Sequence, residues 1–309
     1  MYYMFPTFPM RSSEFDVSKI LGLKPIYEKY KKRAENCIPL NLGILEGATN
    51  SSLANFEAAE QAHYACITEN VTMAEWVSKN IAKCDHAVTY SHGTFSALVH
   101  LEALDFESVL KLIQAIFNQA LKPYSQTPWA LGAVVGLSAE NLKGLFLKVD
   151  KDLEITDFYG PHAILFSGLA GSVKKVLDLA IEQGSPLTRL VPLCAPFHTS
   201  KLLEITPIMD KLLQSFQFKA PTVPLFSSVT HEWLTTADEL RSEICNNISS
   251  PLNLNLTFEK ISECKPSTLI ECGSSFSLTD IVRPMLPKEW KCLDFRDLLP
   301  NEAKIHEAK

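Results

Sequence analysis

The chain has 309 residues, 46% of them hydrophobic and 21% charged, with 12 glycines and 18 prolines. That length and composition suit one large or two modest globular domains and exclude a collagen-like or wholly disordered chain. With 29 basic and 35 acidic side chains the formal net charge is −6, so no general electrostatic attraction to nucleic acid or to an anionic membrane is expected.

In chain order, residues 1–5 are apolar but run into Pro6 with no basic stretch before them. They are too short for a signal-peptide core or a membrane span. The remainder of the first 60 residues carries little pattern, and residues 56–79 read as a helix. The eight cysteines are scattered and form no CxxC pair, which fits reduced thiols in a cytoplasmic protein and predicts no metal site. Residues 85–90 (DHAVTY) form a short strand that feeds Ser91-His92-Gly93. Helices are expected over 96–104 and 106–121. A strand, a sharp turn and a helix in succession are an α/β signature.

The pattern then changes. Residues 130–137 read as a buried strand and 138–147 as a helix capped by Ser138. Strands at 153–159 and 163–167 are joined through Gly160-Pro161. A helix over 169–182 and a strand over 188–193 complete the order strand, helix, strand, strand, helix, strand, which is that of a ferredoxin-like unit. After it, 200–216 is helical with an interruption near Pro207, 223–229 is strand-like and 237–248 helical. Residues 268–272 suit a central strand, 280–285 a short helix and 292–295 a last strand. The expected fold is therefore α/β: a hydrolase-like parallel-sheet core made of residues 1–126 and 194–309, with a ferredoxin-like subdomain inserted over 127–193.

Ser91 has the setting of a nucleophile elbow, where a strand delivers the hydroxyl to a tight turn and the next helix aims its N-terminal N–H groups at developing negative charge. Gly93 fills the second small position of such a turn. Thr89 stands at the first, where glycine is usual, so the strict G-x-S-x-G pattern is not met. Of eight histidines, His198 in Cys194-Ala-Pro-Phe-His-Thr-Ser200 follows the last strand of the insert and sits in a loop at the cleft between the two units. Clefts of that kind bind ligands, although a histidine there can also simply bond the next helix. His92 cannot readily turn back onto Ser91, but its backbone N–H suits an oxyanion donor.

These segments resemble the malonyl-CoA:acyl-carrier-protein transacylases and the acyltransferase domains of polyketide synthases. Ser91-His-Gly-Thr-Phe-Ser-Ala-Leu-Val99 and Ala103-Leu-Asp-Phe106 are similar to the family's G-H-S-L-G-E-Y-S-A-L-V segment and the A-L-D-F turn after it. The likeness continues at 129–137, at Asp157-Phe158 with Pro161, and at Ala195-Pro-Phe-His-Thr199. It extends late into the chain at Pro251 and Ile270-Glu-Cys-Gly273. The resemblance implies Ser91 as nucleophile and His198 as general base and later acid. It also implies a backbone carbonyl within 246–251 to orient the histidine. The oxyanion would be held by the N–H groups of His92 and of Phe8, in the N-terminal loop. Substrates would be acyl-CoA or phosphopantetheine thioesters, with no permanently bound cofactor, and the partner an acyl carrier protein or carrier domain. An acidic carrier would need a basic patch, for which the scattered Lys201, Lys211, Lys219 and Lys265 are candidates, although such lysines are more often plain solvated surface.

Three departures stand out. The family's F-P-G-Q-G loop is here Phe5-Pro-Thr-Phe-Pro9, with Thr7 and Pro9 at the glycines, where backbone freedom is lost. Thr89 and Tyr90 replace a glycine and a histidine at the elbow, and their bulk is expected to press on it. The arginine that pairs with the malonyl carboxylate in the family aligns with Ile116. An unpaired carboxylate against Ile116 is disfavoured, so an uncharged, non-malonyl acyl group is expected, held in a pocket of Ile116, Tyr90 and Phe197. The expected function is transfer of that group through a serine ester to a carrier thiol. The alternatives are a thioester hydrolase using the same Ser–His pair and a non-catalytic acyltransferase-like binding protein.

Overall fold

The apolar run at the start of the chain is a central strand. In the computed structural model, which describes residues 1–7, 17–20, 22–40, 54–160, 162–274 and 277–298, Tyr2–Phe5 forms β1 and is buried at all four positions. A strand buried on both faces shows no alternation of polar and apolar residues, which is why the run carries no strand signal. Helix α1 (Lys24–Glu35) and the long α2 (Phe56–Asn80) follow. The Asn55 side chain caps α2 by accepting from the Ala58 N–H at 2.9 Å. Strand β2 (His86–Thr89) then leads to α3 (Gly93–His100) and α4 (Phe106–Ala115). The first of these helices begins at Gly93, directly after the turn, rather than at Ser96. Ile116–Leu121 prolongs α4 as a π-helical turn.

The insert has the expected order: β3 (Trp129–Val135), α5 (Ala139–Val149), β4 (Glu154–Gly160), β5 (Ala163–Leu169), α6 (Ala170–Glu182) and β6 (Leu187–Leu193). Its antiparallel sheet runs β4-β5-β3-β6. Ala130 and Val134 point to the side covered by α5 and α6, where they pack with Phe146, Phe166 and Val176. Strand alternation turns Leu131 to the opposite side, towards the larger unit.

The chain then returns through a 3₁₀ turn (Ser200–Ile205) to α7 (Thr206–Gln214), with Pro207 in its first turn, where the missing N–H costs nothing. The expected strand over 223–229 shrinks to β7 (Leu225–Phe226), because the Ser227 hydroxyl accepts from the N–H groups of Val229 and Thr230 and turns the chain away. Next come β8 (Trp233–Leu234), α8 (Ala237–Ser249), α9 (Leu254–Ser262), β9 (Thr268–Glu271), α10 (Ser277–Val282), β10 (Lys291–Leu293) and α11 (Phe295–Leu298). The last expected strand is one residue early and shorter. Phe295 instead begins a helix, after Asp294 accepts from the Arg296 N–H at 2.8 Å.

The large sheet runs β10-β9-β1-β2-β7-β8, with parallel pairing throughout except between β7 and β8. The fold is thus a two-part α/β architecture: a mostly parallel sheet flanked by helices, and a smaller antiparallel ferredoxin-like sheet. The two meet along β4. The Leu252 N–H donates to the Thr156 carbonyl at 2.8 Å, and Glu154 accepts from the amide and hydroxyl of Ser200. Among the described residues, no helix is long and apolar enough to cross a membrane.

Candidate active site

β1 and β2 pair in register from Tyr2↔His86 to Phe5↔Thr89, and the chain turns just beyond. Tyr90 donates its N–H to the Phe5 carbonyl at 3.1 Å, and Gly93 donates to the Tyr90 carbonyl at 2.9 Å. Between them Ser91 is held at φ +51°, a left-handed conformation that costs a non-glycine residue roughly 1–3 kcal/mol. Gly93 is required by closeness: a Cβ there would stand 2.0 Å from the Phe5 carbonyl oxygen. The threonine at the other small position is absorbed. Thr89 is buried, and its hydroxyl accepts from Thr94 at 3.1 Å. Thr94 in turn accepts from the Asn247 amide at 3.3 Å. The elbow keeps its shape because the extra bulk is built into this polar chain behind it.

His198 is placed from the other side. Its N–H donates to the Ile248 carbonyl at 2.8 Å and its φ is +60°. Nδ1 lies 3.3 Å from the Ser250 carbonyl. A carbonyl can only accept, so Nδ1 carries the hydrogen and Nε2 presents its lone pair. Nε2 is 2.8 Å from the Ser91 hydroxyl oxygen. Ser250 is the C-cap of α8, so the negative end of that helix faces the imidazole and favours its protonated form during proton transfer. Burial works in the opposite direction and lowers the resting His198 to about 4, partly offset by the carbonyls of Ser250 and Asn247. The imidazole is therefore neutral at pH 7. A neutral base at hydrogen-bond distance from a serine hydroxyl is the arrangement that a serine-nucleophile acyltransferase needs.

Both groups open onto a cavity of about 140 Å³ at the seam of the two sheets. Ile116, Tyr90 and Phe197 all line it, as do Phe117 and Phe95 of the large unit and Leu131, Leu165 and Val191 of the small sheet. The Tyr90 hydroxyl donates to Asp157 on β4. Burial raises Asp157 to about 7, against the pull of that bond and of the Leu254 N–H, which donates to its other oxygen at 3.0 Å. His92 takes the N-cap place of α3, with its ring buried. Phe8 lies outside the described residues. His63 and Asn247, which no motif marked, also line the cavity. They sit on α2 and α8, and nothing in their local spacing distinguishes them from ordinary helical positions. Among the described residues no group of three or more His, Cys, Asp or Glu side chains is placed to hold a metal ion.

No protein-family model matches the chain. Among curated proteins it is 24% identical over 225 residues to the malonyl CoA-acyl carrier protein transacylase of Bacillus subtilis, covering 71% of this chain and 70% of that one. A polyketide biosynthesis protein of Burkholderia thailandensis is 23% identical over 65% of this chain, which spans 17% of that longer protein. Among solved structures, an acyl-carrier-protein S-malonyltransferase of Burkholderia pseudomallei superposes with a TM-score of 0.81 at 16% identity, covering 100% and 99% of the two chains. In sequence and in fold the chain is thus similar, over most of its length, to malonyl-CoA:acyl-carrier-protein transacylases.

The comparisons correct the expected function. The expectation of an uncharged acyl group rested on Ile116 at the arginine position. Ile116 does line the cavity, but the homologues named for a substrate are malonyl transacylases, and so are the superposed structures. A single missing arginine does not decide the substrate, because a cavity wall is assembled from several elements and not from one helix position.

Proposed function

We propose that this protein is a malonyl transferase: it takes a malonyl group from coenzyme A onto Ser91 and passes it to the phosphopantetheine thiol of an acyl carrier protein. The observation that carries the proposal is the 2.8 Å contact between Ser91 Oγ and His198 Nε2 at the head of the seam cavity. Its support from relatives is the likeness to malonyl transacylases, one of them solved in complex with its type II polyketide acyl-carrier protein (TM-score 0.78, 19% identity, 99% and 98% of the chains).

In this scheme Ser91 Oγ attacks the thioester carbonyl while His198 Nε2 takes its proton. The oxyanion forms at the N-terminal end of α3, where the His92 N–H is one donor. Collapse of the tetrahedral species breaks the C–S bond, and the departing thiolate takes the proton back from His198. The carrier thiol then enters, gives its proton to His198 and attacks the serine ester, regenerating Ser91. The thioesters are substrates, so no resident cofactor is called for. Residues 127–193 act as the small lobe and 1–126 with 194–309 as the large one, the cavity lying between them. The eight cysteines, none in a disulfide, support a reducing, cytoplasmic location.

The test is intact-protein mass measurement after incubation with malonyl-CoA. The wild type is expected to gain one malonyl group and Ser91→Ala none. Equal labelling of both, or no labelling of either, overturns the proposal.

A further inference from the structure

Strand β4 is irregular where it meets the seam. Ile155 pairs with Phe166 and Asp157 with Leu165, so Thr156 is an extra residue bulged out of the ladder. Consecutive residues of a regular strand face opposite ways; the bulge instead brings both Thr156 and Asp157 onto the cavity wall. Both are buried, at 1% and 2% exposure. The Asp157 oxygens are met by Tyr90 and Leu254, but the Thr156 hydroxyl has no hydrogen-bond partner among the described residues. A buried hydroxyl without a partner is costly and rare. The backbone that carries it is fixed: the Thr156 carbonyl accepts from the Leu252 N–H at 2.8 Å, two residues after the Ser250 carbonyl that orients His198. The hydroxyl is therefore a preset donor in the wall of the cavity that an acyl group on Ser91 enters.

A malonyl group brings a free carboxylate into that cavity, whose described lining holds no lysine or arginine. We propose that Thr156 and Asp157 form the subsite for it: the Thr156 hydroxyl donates to one malonyl carboxyl oxygen, and the other oxygen shares a single proton with Asp157. The inference rests on the malonyl reading given above. Where Asp157 is ionised beforehand, that proton comes from solvent; it becomes the O–H of the carboxyl pair, and no other bond changes.

Two carboxyl groups at one buried site cannot both ionise, so the pair keeps one proton and one negative charge. That charge has a counterpart in the fold. Asp157 sits at the start of α9, where Asn253 is the N-cap and the Leu254 N–H donates to Asp157 at 3.0 Å. The positive end of a helix stabilises an anion placed there. Tyr90 supplies a second donor to Asp157, and each carboxyl oxygen has room for one more partner. The pair is thus held by three donors, from Thr156, Tyr90 and Leu254, where the Ile116 side chain offers a carboxylate none.

The titratable groups that share the cavity with Asp157 are Tyr90 at the elbow, Tyr159 on the same strand, and His63, His92 and His198 from the large unit. Strands β5 and β6 contribute apolar Leu165 and Val191, and Glu154, further along β4, is bonded by Ser200. Burial holds Asp157 near 7 in the unliganded protein. Below that value it already carries the proton, and a malonyl carboxylate binds with no net uptake. Above it, binding draws one proton from solvent, so affinity falls as pH rises. Burial lowers His63 and His198 to about 4, so uptake by an imidazole would already be present at pH 6. The two origins are therefore separable.

Ser91→Ala protein binds thioesters without turnover and allows direct titration calorimetry with malonyl-CoA and acetyl-CoA between pH 6 and 8.5. The dissociation constant for malonyl-CoA is expected to be level below pH 7 and to weaken by about tenfold per pH unit above it, and that for acetyl-CoA to change far less. Buffers of different ionisation enthalpy should show uptake of about one proton with malonyl-CoA at pH 8.5 and about none at pH 6, beyond any seen with acetyl-CoA. Adding Thr156→Val, which keeps the shape and removes the hydroxyl, should weaken malonyl-CoA by about tenfold or more and leave acetyl-CoA within about twofold. Adding Asp157→Asn, which puts an amide donor in place of the shared proton, should abolish the slope and the uptake. If that variant does not fold, the proton count and Thr156→Val decide. Equal effects of Thr156→Val on both thioesters, no excess uptake at pH 8.5, uptake already complete at pH 6, or a slope that survives Asp157→Asn overturns the subsite while leaving malonyl transfer standing. Failure of the wild type to be labelled by malonyl-CoA removes the malonyl reading and the subsite together.

Discussion

Tyr90→Phe isolates the bond that ties the elbow to the small sheet. Asp157 is 2% exposed, and its two oxygens accept from the Tyr90 hydroxyl and from the Leu254 N–H. Phenylalanine keeps the ring and so opens no cavity, but it leaves one buried carboxyl oxygen without its donor. Such an orphaned group costs about 1–3 kcal/mol. The cost should depend on pH. Asp157 has a folded pKa near 7, above the usual value of an aspartate. Its protonation therefore stabilises the fold most fully below about 4, and that stability is lost as pH rises through 7. At pH 8 the carboxyl is mostly ionised and the Tyr90 bond is charge-assisted; at pH 6 it is mostly protonated and the bond is weaker. Urea unfolding at both pH values, on the wild type, Tyr90→Phe, Asp157→Asn and the double variant, measures the effect. The destabilisation should be larger at pH 8, with a coupling energy of about 1–3 kcal/mol in the cycle. Losses below about 0.5 kcal/mol at both pH values, or simple additivity, would refute the argument.

Two further outcomes follow from the elbow and the base. Gly93→Ala should destabilise the protein by on the order of 3 kcal/mol or prevent folding, because its Cβ would fall 2.0 Å from the Phe5 carbonyl oxygen; thermal unfolding near the wild-type temperature would contradict that close approach. Burial holds His198 near 4, so its neutral form persists well below pH 6.5 and is lost only as pH falls through that lower value. The rate at which an uncharged serine-directed phosphonate labels Ser91 should thus be level from pH 6 to 8 and drop below about pH 5; a midpoint near 6.5 would show an exposed imidazole instead.

The features that could be read in the sequence are those with a local physical signature. The elbow was visible because strand, turn and helix must follow one another within a few residues, and because Gly93 has to be small. The insert was visible because its four strands and two helices alternate cleanly. Strand β1 was not, since burial on both faces removes the polar–apolar alternation. Helix α9 was missed although Leu254, Phe258 and Ile261 have helical spacing, because Asn253, which caps it, follows so soon after Pro251 that the stretch reads as loop. Ile116 lines the cavity, yet the conclusion drawn from it about the substrate is overturned by the likeness to malonyl transacylases. The character of that wall also depends on His63, which reaches it from α2, and such convergence is a property of the packed fold and not of any segment.

The most direct measurement of the account is the fate of the acyl group itself. Wild-type protein labelled with malonyl-CoA, quenched and digested, should yield the malonyl group on the peptide containing Ser91. Addition of a phosphopantetheine-bearing carrier protein before the quench should move the label to the carrier thiol. Malonyl found on another residue, or released as free acid while the carrier stays unlabelled, would contradict it.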